Sequence, residues 1–155
     1  MSASGLPEKL RDLIGLTEPM ERSDRIQFLI DIAERYEKVP EEIATKPYGE
    51  NHRIPHCESE AFVWAVEQPD RTLKFHFAVE NPQGISAMAM AVILDETLSG
   101  TPPVDVAQVP PDIIYHIFGR ELSMGKSMGL TEMVSMVRNF ARLHAGPQET
   151  NSDRP

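Results

Sequence analysis

The sequence predicts an α+β domain, a small antiparallel sheet packed against helices. Three observations predict it. Apolar residues hold helical spacing in the first third of the chain. They switch to a continuous apolar run over Ala61 to Val66 and then to alternation over Thr72 to Val79. From Ile85 onward the composition and spacing are helical again. At 155 residues the chain is one domain, long enough to bury a single sizeable core.

The first helix is expected over Leu6 to Leu16. Pro7 suits its first turn, and Leu10, Leu13 and Ile14 share a face. Ser23 or Asp24 caps the next helix. There Ile26, Leu29, Ile30 and Ala33 follow one stripe, with Asp31, Glu34 and Arg35 opposite. That helix fades near Val39-Pro40, because a residue before proline avoids the α region. Pro40 to Ile43 adds a single turn. Two strands follow. Phe62, Trp64 and Val66 alternate with Ala61, Val63 and Ala65. Leu73, Phe75, Phe77 and Val79 alternate with Thr72, Lys74, His76 and Ala78. The turn Gln68-Pro69-Asp70-Arg71 joins them as a hairpin. The first strand is apolar on both faces and is expected to be covered on both.

Ile85 to Leu94 is rich in alanine and methionine and apolar all round, which predicts a buried helix. Its methionines read as flexible core filler. Gly100 ends this element, Thr101-Pro102 opens a short turn, and Pro110-Pro111-Asp112 opens Ile113 to Phe118. A last helix spans Ser127 to His144, burying Leu130, Met133, Val134, Val137 and Phe140. Gly146-Pro147 is expected to stop it. The domain therefore runs over 6–146, with disordered ends at 1–5 and 147–155.

Composition excludes several classes of function. A formal net charge of -9 opposes binding to a phosphate backbone. The charge-free run Asn81 to Leu94 is too short to span a bilayer. The start lacks a basic and an apolar segment, so no signal peptide is expected. One cysteine excludes an internal disulfide. A free thiol suits a reducing, cytoplasmic setting. No phosphate loop or dinucleotide fingerprint is present.

That cysteine lies in Asn51-His52-Arg53-Ile54-Pro55-His56-Cys57-Glu58-Ser59-Glu60, a polar loop leading into the first strand. Its neighbours favour water, so an accessible thiol is expected. His52, Arg53 and His56 would lower its pKa, and Glu58 and Glu60 would raise it. His52, His56 and Cys57 are also suitable zinc ligands. A structural site needs four, and no second cluster accompanies them, so no metal is expected. His76, His116 and His144 are scattered, and nothing marks the partners that a cysteine protease requires.

The run Ile54-Pro55-His56-Cys57-Glu58-Ser59-Glu60-Ala61-Phe62 resembles the active loop of the SufE family, sulfur acceptors for cysteine desulfurases in iron–sulfur cluster assembly. A second block, Leu122-Ser123-Met124-Gly125-Lys126-Ser127-Met128-Gly129-Leu130-Thr131-Glu132-Met133, resembles another motif of that family. The likeness extends from about Leu6 to about His144. It implies a SufE/IscU-like fold with a third strand around His52 to Ile54. It also implies a sulfur-accepting Cys57, with His56 and Ser59 as loop neighbours and Arg53 and Lys126 as partner-binding residues. The implied partners are a SufS-type desulfurase, which carries the pyridoxal phosphate, and a SufB-type scaffold. The protein itself would need no cofactor and would be a carrier and activator, not an enzyme. The sequence departs from the family at three places. His56 stands where glycine often precedes the cysteine. Phe62 stands where many members have tryptophan, and Lys126 where arginine is usual. Two other readings remain: a desulfurase-binding regulatory module without sulfur transfer, and a metal or iron–sulfur scaffold. Scaffolds of the IscU kind use three cysteines, and this chain has one.

Overall fold

The structure, a computed structural model, describes residues 5–152, with side chains described over 5–145. Two helices open the fold, α1 (Glu8–Thr17) and α2 (Arg22–Ala33). The hairpin β1 (Ala61–Glu67) and β2 (Leu73–Val79) follows. Then come α3 (Ile85–Leu98), two short helices α4 (Pro103–Val106) and α5 (Ile113–Phe118), and the long α6 (Met124–Ser152). The α+β architecture is the one the pattern at 61–79 predicts.

The strands pair antiparallel, with Ala61 opposite Val79 and Glu67 opposite Leu73. The turn forms where Pro69-Asp70 places it. Asp70 accepts hydrogen bonds from the backbone N–H and the hydroxyl of Thr72, at 3.0 and 2.6 Å. The apolar helix α3 occupies the centre. Its neighbours are α1, α2, α6 and β2, and Ala89, Met90 and Leu94 have no exposed surface. The far side of the hairpin has a smaller core of Val39, Phe62, Trp64 and Ala78, covered by Ile43, Ala44 and Tyr48. β1 is therefore covered on both faces, as its composition requires.

Several boundaries differ from the expectation. The third strand at His52 to Ile54 is reduced to one bridge, Arg53 with Phe62, preceded by a 3-10 turn over Glu50–His52. Ile54 still donates to the Ala61 carbonyl at 2.8 Å, but Pro55 has no N–H with which to continue a ladder. α2 ends at Ala33, not near Val39, because Tyr36 is drawn to the sheet. Its hydroxyl accepts the Val79 N–H at 2.8 Å. Ser23 and Asp24 lie inside α2, whose N-cap position is Glu21. Asp24 instead places a carboxylate in the first turn, where the helix dipole favours it. α6 starts at Met124 rather than Ser127, because Ser123 caps it: its hydroxyl accepts the Lys126 N–H at 3.2 Å.

α6 also continues through Gly146-Pro147 to Ser152. A proline removes only its own bond to the preceding turn, and a helix resumes on either side. Of the ends expected to be disordered, 1–4 and 153–155 lie outside the described residues.

Candidate functional site

The segment from Ile54 to Ala61 connects the bridge at Arg53 to β1. Ile54 is buried, at 2% exposure, and anchors one end; Ala61 is fully buried at the other. Between them the chain turns sharply twice. His56 has φ +60° and Glu60 has φ +52°, both in the left-handed region. A side chain is uncommon there. Glycine would adopt this conformation freely, and His56 accepts it without that freedom.

The two turns set an alternation. His56, Glu58 and Glu60 are exposed, and Cys57 and Ser59 turn inward. The polar neighbours predict a thiol at an accessible loop tip. It is instead half-buried and packs against the main core. Burial pushes its pKa up, partly offset by the nearby backbone amides of Ser59 and Ala61. The Glu58 charge raises it further. The loop is pinned to the segment just after β2 as well. Glu80 N–H donates to the Glu60 carbonyl and Asn81 N–H to the Ser59 carbonyl, both at 3.1 Å.

α6 receives the loop on a glycine face. A Cβ on Gly129 would lie 3.1 Å from Cys57 Cα and 3.3 Å from the His56 carbonyl oxygen, so only a residue without a side chain admits this approach without displacement. One turn earlier, Gly125 faces the Glu58 carboxylate, and Gly84 faces the Ser59 hydroxyl. The second family block contains Gly125 and Gly129, but sequence reasoning gave none of the three glycines a role. Gly125 and Gly129 are four apart, which is one helical face, and that spacing is the available signal. The His56 imidazole lies 3.5 Å from the Glu132 carboxylate, a second tie to α6.

Beside the thiol is an open cavity of about 270 Å³. Cys57, Ser59, Asn81, Ile85, Lys126 and Leu130 are among its walls. Lys126 is exposed at its rim. The structure thus brings Cys57, Ser59 and Lys126 to one cavity, although Lys126 is distant in sequence. Arg53 is engaged within the protein. Its guanidinium covers the Phe62 ring at 4.9 Å and pairs with Glu50 and Glu60 at 3.1 and 3.4 Å. His52 is committed to the fold too. It stacks 5.2 Å from Trp64, faces Phe140 and bonds the Val63 carbonyl through Nδ1 at 2.9 Å. Its expected influence on the thiol is therefore replaced by a structural role. Among the described residues, no group of three or more His, Cys, Asp or Glu is arranged to hold a metal ion.

A half-buried thiol next to an open cavity can carry an added sulfur atom and admit a small group beside it. A search of curated proteins finds no match. The solution structure of a hypothetical protein from Thermus thermophilus is similar. It shares 24% identity and a TM-score of 0.68, over 90% of this chain and 97% of that one, which shows a common fold. The family model SufE, described as an Fe-S metabolism associated domain, matches residues 13–141. That span takes in both the Cys57 loop and the glycine face of α6, and the chain belongs to the SufE family, associated with iron–sulfur metabolism.

Proposed function

We propose that the protein accepts persulfide sulfur at Cys57 from a SufS-type cysteine desulfurase, raises that enzyme's turnover, and passes the sulfur on to a SufB-type scaffold of cluster assembly. The observation that carries the reading is the placement of Cys57: the thiol is half-buried between the left-handed turns at His56 and Glu60 and borders a cavity with room for an added sulfur atom. In the transfer step the Cys57 thiolate attacks the outer sulfur of a persulfide on the desulfurase. A new S–S bond forms at Cys57, the old one breaks, and the desulfurase cysteine leaves as a thiolate. The backbone amides of Ser59 and Ala61, which oppose the effect of burial on the thiol, are suited to stabilise the resulting persulfide anion. The protein acts as a carrier and activator, and the chemistry of releasing sulfur from cysteine belongs to the partner.

Burial raises the resting thiol pKa, so little thiolate exists in the isolated protein near neutrality. Reaction then requires the loop to move or the partner to supply charge. This favours transfer within a complex over reaction with free thiols and disulfides.

The test is Cys57→Ser. It is expected to fold and to bind the desulfurase, because a docking patch rarely rests on one side chain. It should gain no sulfur and should not raise turnover. Wild type incubated with desulfurase and cysteine should gain sulfur mass on the peptide containing Cys57, removable by reductant. Equal stimulation by Cys57→Ser and wild type would refute relay and favour a regulatory module.

A further inference from the structure

A groove of about 500 Å³ runs between α2 and the start of α6. It shares Ile85, Ser86 and Lys126 with the cavity beside Cys57, so the two adjoin. Its apolar side chains are ones the helical stripe should have buried. Ile26 is 47% exposed and Ile30 37%, one turn apart on α2, and Ile85 across the groove is 41% exposed. The helix instead buries Leu29, Ile32 and Ala33 against the core. Isolated exposed apolar residues need no explanation, but three around one concavity suggest a binding surface.

The charges around it have a sign. In a chain of formal charge -9, the groove is lined by Arg22, Arg25 and Lys126 against one carboxylate, Glu121. Arg25 is fixed by donating to the Thr17 and Glu18 carbonyls, at 3.0 and 3.2 Å. Arg22 pairs with Glu121 at 3.4 Å, and both side chains are nearly three-quarters exposed. Among the described residues, no carboxylate lies within 4.0 Å of the Lys126 ammonium.

The geometry points to this groove as the docking site for an apolar segment bearing acidic residues, carried by the desulfurase that delivers sulfur to Cys57. The inference rests on the function proposed above and adds the surface and the chemistry of the partner segment. Adjacency to the Cys57 cavity makes the sulfur donor the occupant: a chain seated along Ile26 and Ile30 ends beside that cavity. The basic rim selects acidic residues, which add encounter rate and specificity.

The experiment titrates fluorescently labelled protein with a purified SufS-type desulfurase from the same organism, at low and high salt. The variants are Ile26→Asp with Ile30→Asp, Arg22→Glu, and Leu16→Asp as a control. Leu16 is 57% exposed on α1 and does not line the groove. The double variant is expected to weaken binding about tenfold or more, as loss of central apolar contacts does. Arg22→Glu should weaken binding at low salt and flatten its salt dependence. The control should stay within about twofold, as scattered surface changes do. Wild-type binding with no loss in the groove variants would overturn the docking site and leave sulfur relay standing. No wild-type binding at all would overturn both. Self-association of the isolated chain, abolished by the double variant while desulfurase binding persists, would assign the groove to a second copy and refute the inference. If the double aspartate variant fails to fold, Arg22→Glu, on an exposed side chain, carries the same test.

Discussion

Gly129→Ala isolates the contact between α6 and the cysteine loop. Two effects of known sign compete. Alanine in a helix interior is favoured over glycine by about 1 kcal/mol. Against this, the new methyl would sit 3.1 Å from Cys57 Cα and 3.3 Å from the His56 carbonyl oxygen, both on the loop backbone, where no flexible side-chain end can swing aside. Overpacking of this kind costs about 1–3 kcal/mol. The net expectation is a variant between neutral and about 2 kcal/mol less stable, by the difference of those two magnitudes. The loop relieves the contact by moving outward, which lifts Cys57 from the core. Urea unfolding and the rate of thiol modification by a disulfide reagent, measured together, check this. Stability should fall by no more than about 2 kcal/mol while modification quickens. Gly129→Val adds bulk and loses helix propensity, so it should unfold at lower urea and react faster still. If alanine raises stability by the full helix increment and leaves thiol reactivity unchanged, the close approach does not hold the loop.

Two further predictions concern the frame. Tyr36→Phe removes the acceptor for the Val79 N–H, leaving a buried donor unpaired; this should cost about 1–2 kcal/mol and lower Tm by about 3–6 °C in a chain of this size. Burial, helped by the Lys74 charge, lowers the His76 pKa below its ordinary 6.5. The unfolded chain therefore takes up the proton first, so stability is full above about pH 6.5 and falls as pH drops through the lowered value. His76→Gln should flatten this decline in a Tm series across that range. An unchanged slope would assign the acid sensitivity to other groups.

The hairpin was legible because a short apolar run over 61–66 and alternation over 72–79 flank turn residues that fix its length. α3 was legible because an element apolar all round has only one stable place. The ends were less so, since they depend on contacts that a single sequence does not display. Tyr36 leaves the helix for a hydrogen bond 43 residues away, and Ser123 caps α6 from within a run without an apolar stripe. At the site, Cys57 was found by its motif, but its burial was not. Polar neighbours suggested exposure. The left-handed turns at His56 and Glu60 separate those neighbours from the thiol, sending alternate side chains to opposite sides. The same stretch suggested Arg53 and His52 as neighbours of the reactive sulfur, while aromatic partners on β1 hold both in the frame.

The stacking of His52 on Trp64 gives the molecule an optical property. Trp64 is the only tryptophan, and it lies in the small core behind the hairpin rather than the main one. Its ring contacts Tyr48 on one side and His52 on the other, five residues before the cysteine. Intrinsic fluorescence therefore reads the root of the loop that carries Cys57. Movement of that segment changes the quenching of an indole already in place, and no label need be attached to the thiol whose chemistry is being followed.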